Sequence, residues 1–250
     1  MEPEAAIELL TSDVERTGIF SDFDGTISPV VATPEEAQPA DGALDVFETL
    51  AEHLALVAIV SGRSLEDLKM RFRPRGVLLA GAYGRDRSDA PVRRATEGWE
   101  TVAVAASVGV KKLPGVRLER KGAGIALHYR QSPASASEVL SLAEALAGTF
   151  ELEIRPGRRV VELVVPGPGK GDAMVALASR HELSTVFVAG DDVADLEAFR
   201  MIRALPARSV IAAVLSEEAP DGLTEDADLV MDGPADLVAL LGAVAVAVTR

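Results

Sequence analysis

The chain has 250 residues, 48% hydrophobic and 26% charged, enough for one sizeable core or for a core carrying a small insert. A formal net charge of −14 argues against nucleic acid as a partner. Cysteine is absent, which excludes disulfides, thiol nucleophiles and thiolate metal sites.

The opening Met-Glu-Pro-Glu lacks the basic-then-apolar layout of a signal peptide. The most apolar stretch, 237–248, is shorter than the roughly 20 residues that a bilayer requires. We therefore expect a cytoplasmic protein that keeps off membranes, as a monomer or weak oligomer. Residues 1–17 read as an amphipathic helix with Ile7, Leu9 and Leu10 on one side, followed by a strand at 18–22. The strand runs into Asp22-Phe23-Asp24-Gly25-Thr26, and a polar, proline-bearing loop occupies 29–39. Helical spacing at 41–53 puts Leu44, Phe47, Leu50 and Ala51 on one face. The apolar run 54–60 reads as a strand covered on both sides, ending in Ser61-Gly62-Arg63-Ser64 before a helix at Leu65. A short strand at 77–80 leads into Gly81-Ala82-Tyr83-Gly84.

The pattern then changes. Helices are predicted at 96–112 and 135–147. Strands are predicted at 116–121 and 124–130 across a Lys-Gly-Ala-Gly turn, and at 151–154 and 159–165 across Pro156-Gly157. This is an α+β insert, closed by Pro166-Gly167-Pro168-Gly169. From residue 86 to 165 the chain carries 12 Lys/Arg against 10 Asp/Glu, or +2, so the remainder carries −16. A mildly basic insert in an acidic chain suits a surface that faces an anion, and ordinary surface variation would give the same count. Strand–helix alternation resumes with a helix at 170–181, a strand at 185–189, the turn Gly190-Asp191-Asp192 and a helix at 194–205. Strands at 209–214 and 229–231 and a helix at 234–248 complete it. Repeated β-then-α units imply a parallel sheet with helices on both faces, whose ligands bind at the carboxyl ends of the strands.

Four polar clusters fall at those ends: Asp22/Asp24, Ser61-Gly62-Arg63, Lys170, and Asp191/Asp192 with Asp195. Two carboxylates one residue apart repel each other and lose hydration on burial, so a cation is the usual reason to keep them together. Mg²⁺ suits such a site, because it takes few protein oxygens and keeps positions for water and phosphate. One carboxylate can attack phosphorus, and a second can protonate the leaving alcohol and later deprotonate water. A hydroxyl and backbone N–H at Ser61-Gly62, with Arg63, can hold phosphate oxygens, and Lys170 adds a point charge. Each cluster alone also has a plain structural use: an Asx turn at Asp22–Asp24, an N-cap at Ser64, a solvated lysine, a turn with an N-cap at Asp191–Asp192. The catalytic reading draws its force from all four occurring in order along one sheet edge.

These motifs resemble the haloacid-dehalogenase superfamily of phosphatases, with Asp22–Thr26, Ser61, Lys170 and Gly190-Asp191-Asp192 as its four motifs in order. The resemblance implies an α/β fold, a doubly wound and mostly parallel Rossmann-like sheet formed by residues 1–86 and 166–250. It also implies an inserted α+β cap of the C2 type at 87–165. It implies Asp22 as nucleophile and Asp24 as general acid/base. Mg²⁺ contacts would come from the Asp22 carboxylate, the Asp24 carbonyl and Asp191, with Asp192 and Asp195 behind them. Within that superfamily the chain is most similar to trehalose-6-phosphate phosphatases. The further matches are Glu119-Arg120-Lys121, His128-Tyr129-Arg130, Val161-Glu162-Leu163 and Lys170-Gly171-Asp172-Ala173. Glu119, Lys121 and Arg130 thereby become candidates for sugar hydroxyls, though charge pairing across the cap sheet would use them equally well. His128 reads as a packed strand residue.

The chain also departs from that family. Tyr83 stands where the family usually has His, and Ala194 and Leu196 replace a hydroxyl and a carboxylate beside the metal site. The expected activity is hydrolysis of a sugar phosphate, trehalose 6-phosphate first. Sucrose- or glucosylglycerate-type phosphates, mutase chemistry, or a non-catalytic regulatory module are the alternatives.

Overall fold

The computed structural model describes residues 1–90, 99–121, 124–132, 136–157, 159–216 and 219–250. The core elements before the insert are α1 (Pro3–Thr11), β1 (Thr17–Ser21), α2 (Ala43–His53), β2 (Leu56–Val60), α3 (Leu65–Arg71), β3 (Leu78–Gly81) and β4 (Asp86–Arg87). The insert supplies α4 (Trp99–Val110), β5 (Arg117–Lys121), β6 (Gly124–His128), α5 (Ala136–Phe150), β7 (Glu153–Gly157) and β8 (Val160–Val164). The core then continues with α6 (Lys170–Arg180), β9 (Thr185–Gly190), α7 (Val193–Arg203), β10 (Arg208–Val214), β11 (Leu229–Met231) and α8 (Pro234–Val248).

Among the described residues the core sheet runs β11-β10-β9-β1-β2-β3-β4, with parallel pairing except for β3–β4. β1 therefore lies between β2 and β9, and the residues beyond these three strands meet at one edge. Strand side chains alternate across the sheet. Ile19 joins the core on the side of α1, α2 and α8, and Phe20 joins the one on the side of α6 and α7. Both faces are sealed, which is why β1 and β2 are buried along their whole length. No helix among the described residues is long and apolar enough to cross a membrane.

The insert forms a separate antiparallel sheet, β5-β6-β8-β7. One face packs on α4 and α5 through Ile125, Leu127, Val161 and Leu163. The opposite face turns Glu119, His128, Arg155 and Glu162 toward the core.

Three sequence expectations need correction. The helix expected over 1–17 ends at Thr11, and Thr17 already begins β1. Leu44 is 45% exposed, and the buried stripe of α2 is Ala43, Phe47 and Leu50. Spacing alone does not distinguish neighbouring positions at the edge of a helical stripe. Pro156-Gly157, expected as a turn, belongs to β7 and pairs with Val161 and Val160. β7 is an edge strand, where a proline without N–H is tolerated. The reversal falls after it, with Arg159 at φ 62°. The two-residue strand β4 was not expected. The predicted turn at 122–123 and the starts of the two cap helices, at 96–98 and 135, lie outside the described residues.

Candidate active site

Asp22 follows β1 directly, and its N–H continues the ladder by donating to Ala189 O at 3.0 Å. Phe23 is fully buried near Phe72, with ring centroids 6.1 Å apart, so the two aspartates flank an apolar anchor. The chain then reverses: the N–H groups of Ile27 and Ser28 both donate to Phe23 O, at 2.9 and 2.8 Å. Gly25 sits at φ 75°, and a Cβ there would overlap the Asp191 carboxylate. Both the backbone conformation and the space require glycine at this position.

Lys170 opens α6 and is only 2% exposed. Its Nζ lies 2.9 Å from Asp22 Oδ2, 3.0 Å from Asp195 Oδ1 and 3.5 Å from Asp192 Oδ1. Asp195 is fully buried and closes its own turn, accepting from the N–H groups of Asp191 and Asp192 at 3.2 Å each. Asp192 caps α7 by accepting from Asp195 N–H at 2.9 Å. Asp191 accepts from the Thr26 hydroxyl at 3.0 Å and the Ser216 hydroxyl at 3.3 Å. In the sequence Thr26 stands only as part of the Asp22–Thr26 motif, and nothing there marks Ser216 as a partner of Asp191 beyond its place just after β10.

Three carboxylates thus crowd one ammonium, with a fourth, Asp191, beside two of them. Burial, opposed by Lys170 and reinforced by the charges of Asp192 and Asp24, lifts the Asp22 carboxyl to about 6. Burial and the charges of Asp192 and Asp22 push Asp191 well above the usual carboxylate range. Burial alone would depress Lys170, but Asp192, Asp195 and Asp22 hold its ammonium well above its ordinary value. The pattern is that of a site short of positive charge.

A divalent cation fits it. Carboxylate oxygens of Asp22, Asp191 and Asp195 lie within 4.8 Å of one another. Asp22 Oδ1 is buried without a hydrogen-bond partner, an arrangement that is costly unless something else contacts the oxygen. Both oxygens of Asp195 are engaged by Lys170 and backbone N–H groups, whereas Asp22 retains an open one. An all-oxygen site of this kind matches Mg²⁺.

Ser61 follows β2, is almost fully buried, and accepts from Arg63 N–H at 3.2 Å. Ser64 caps α3, accepting from Asp67 N–H at 3.1 Å, so the plain reading of that serine holds as well. Arg63 was expected on phosphate, but its guanidinium contacts protein oxygens. It grips Asp24 bidentately at 2.7 Å twice and also reaches Asp67 at 2.5 Å and Pro34 O at 3.0 Å. Asp67 in turn pairs with Arg71, which donates to Glu35 O at 2.7 Å and so ties down the proline-bearing loop. The geometry makes Arg63 the holder of Asp24, a choice of acid that no local sequence feature marks.

Above this floor lies a cavity of about 440 Å³, bounded by Asp22, Asp24, Ser61, Lys170 and Asp191 below and by cap residues above. That is within the range of about 300–1,000 Å³ usual for small-molecule sites. Glu119 and Arg130 line it. The Lys121 side chain lies outside what is described. Glu119 also sits 2.7 Å from His128 Nε2, a diagonal cross-strand pair of the kind the plain reading anticipated. Tyr83, Arg155 and Glu162 line the cavity as well, and none of them was singled out as a site residue.

The family model for trehalose-phosphatases matches residues 20–227. Relatives include an uncharacterized glycosyl hydrolase of Mycobacterium tuberculosis, 30% identical over 205 residues, covering 75% of this chain and 15% of that protein. The trehalose-6-phosphate phosphatase of Escherichia coli is 29% identical over 201 residues, covering 76% of this chain and 75% of that protein. The chain thus spans about 15% of the length of the mycobacterial relative. Among solved structures, the C-terminal domain of Candida albicans trehalose-6-phosphate phosphatase shares the fold. It has a TM-score of 0.78 at 20% identity, over 98% of this chain and 97% of that one. With a family match that takes in the residues beyond β1, β2 and β9 and the start of α6, this chain belongs to the trehalose-phosphatase family.

Proposed function

We propose that this protein hydrolyses trehalose 6-phosphate to trehalose and phosphate through a phosphorylated Asp22, in the cytoplasm. Residues 1–86 and 166–250 are the catalytic core in this reading, and 87–165 the substrate-selecting cap. One observation carries it: Asp22 has one buried oxygen on Lys170 and the other without a hydrogen-bond partner, directly under a cavity roofed by the cap.

In the first half-reaction an Asp22 oxygen attacks phosphorus, and the bond from phosphorus to the sugar oxygen breaks. Asp24 protonates that departing oxygen. In the second half-reaction Asp24 takes a proton from water, the water oxygen attacks phosphorus, and Asp22 is released with free phosphate. Ser61 and the Gly62 N–H hold phosphate oxygens in both steps. Lys170 balances negative charge on Asp22 and on the phosphoryl group, while Asp195 keeps the ammonium aimed at them. Both Asp24 oxygens rest on Arg63, so that pair opens when Asp24 turns to the substrate. Mg²⁺, held by Asp22, the Asp24 carbonyl and Asp191, would supply charge neutralisation between anionic nucleophile and anionic substrate. Glu119, Lys121 and Arg130 are the candidates for binding the sugar hydroxyls in this reading.

Purified protein with Mg²⁺ is expected to release phosphate from trehalose 6-phosphate, and Asp22→Asn to lose on the order of 10⁴-fold or more in kcat. Phosphate release from sucrose 6-phosphate or another sugar phosphate, with none from trehalose 6-phosphate, overturns the substrate assignment. Full activity of Asp22→Asn overturns the chemistry.

A further inference from the structure

The loop between β3 and β4 carries two consecutive non-glycine residues in the left-handed region, Ala82 at φ 51° and Tyr83 at φ 60°. Such backbone costs free energy and persists only where surrounding contacts enforce it. Here the enforcing contacts run to the phosphate-holding turn: Ala82 N–H donates to Arg63 O at 2.6 Å, and Tyr83 N–H to Ser61 O at 2.9 Å. The Tyr83 ring lies so close to Gly62 that a Cβ there would meet it at 3.0 Å. The side chain is nearly buried at 6% exposure, and its far end reaches the cap.

At that end Tyr83 engages two cap residues at once. Its hydroxyl donates to Glu162 Oε2, and the Arg155 guanidinium sits over its ring, 4.8 Å from the centroid. Arg155 and Glu162 are directly opposite each other on β7 and β8. One core side chain therefore meets a cation and an anion on neighbouring strands with the part suited to each: the ring face for the cation and the phenol for the anion. The same loop also fixes the return of the chain from the cap, since Arg85 donates to Val165 O at 2.7 Å.

We propose that Tyr83 is a positioning residue that seats the cap over the Ser61–Gly62 turn and thereby favours a polyhydroxyl sugar phosphate over a small phosphate ester. This rests on the substrate reading above only in its choice of sugar phosphate. The absence of cysteine allows a clean spin-label test with Met70→Cys on α3 and Val104→Cys on α4, both exposed positions. In this doubly labelled, ligand-free protein, Tyr83→Phe is expected to broaden the core–cap distance distribution toward longer values. In the unlabelled protein, Tyr83→Phe is expected to lower kcat/KM for trehalose 6-phosphate about tenfold while leaving p-nitrophenyl phosphate within about twofold. The loss on trehalose 6-phosphate should vanish when Glu162→Leu is already present, because that variant removes the acceptor that the Tyr83 hydroxyl meets.

An unchanged distance distribution overturns the proposal, whatever the substrate proves to be. Equal losses on both esters with a lowered Tm also overturn it, since a merely structural role produces that result. A wild-type protein inert toward trehalose 6-phosphate defeats the substrate reading and leaves the spin-label distances to judge Tyr83.

Discussion

The floor and the roof of the cavity solve different physical problems. On the floor, three carboxylates contact one buried lysine, a fourth lies beside two of them, and an oxygen of Asp22 is left without a hydrogen-bond partner. On the roof, polar groups are partnered within the sheet: Glu119 lies 2.7 Å from His128 Nε2, and Arg155 pairs with Glu153 at 3.0 Å. The floor holds excess negative charge in a fixed frame, as a site for a cation and an incoming phosphoryl group would. The roof groups are partnered with one another and partly exposed, which suits exchanging those partners for hydroxyl groups. Losing a floor residue should therefore cost turnover or metal affinity, whereas losing a roof residue should cost substrate affinity.

The largest effect short of replacing Asp22 is expected at Arg63. Replacement by Lys keeps the charge but removes the two-point grip on Asp24, so kcat should fall roughly 10²-fold with KM changed little. A loss carried by KM instead would return Arg63 to phosphate binding.

The second effect concerns charge crowding without metal. Asp22 titrates at about 6 in the fold against an ordinary 3.8, so between those values the folded state binds more protons than the unfolded one. Its contribution to stability is present at low pH and is lost as pH rises through about 6. Metal-free wild type should lose roughly 2–3 kcal/mol relative to Asp22→Asn between pH 4 and 7, followed by thermal melts. Parallel curves for the two proteins would show that the floor is not strained by its own charge.

At Thr26, replacement by Val removes the hydroxyl donated to Asp191. The Mg²⁺ concentration needed for half-maximal activity should rise about 10-fold, with kcat at saturating metal nearly unchanged. The smallest effect is expected on the roof: Glu119→Gln should raise KM for trehalose 6-phosphate a few-fold and leave kcat alone. A larger kcat effect there than at Arg63 would reverse the division between floor and roof.

The floor could be read from the sequence because each of its pieces is contiguous and terminates a buried apolar run. Asp22, Ser61 and Asp191 announce themselves by ending strands, and the parallel β-then-α order brings those ends together. Lys170 needed the resemblance, since an isolated lysine after a proline–glycine stretch has no local signature of burial. Partner choice was not readable. That Arg63 takes Asp24, and that Ser216 reaches Asp191, depends on chain crossings between segments 39 and 25 residues apart. The roof was harder still. Alternation along β5 and β8 gives two faces but not which one looks down, and Pro156 on an edge strand looks locally like a turn. Tyr83 was noticed only as a departure from a pattern. Its role depends on Arg155 and Glu162, which become neighbours only through the β7–β8 register.

In the proposed mechanism phosphorus passes through Asp22. The most direct measurement is acid quenching of the wild-type protein during turnover of trehalose 6-phosphate with Mg²⁺, followed by borohydride reduction and peptide mass spectrometry. A phosphorylated carboxylate is reduced to the corresponding alcohol, so homoserine is expected at position 22 and at no other aspartate. Steady turnover with Asp22 recovered unmodified, or with the reduced residue at Asp24 or Asp191 instead, would contradict the account.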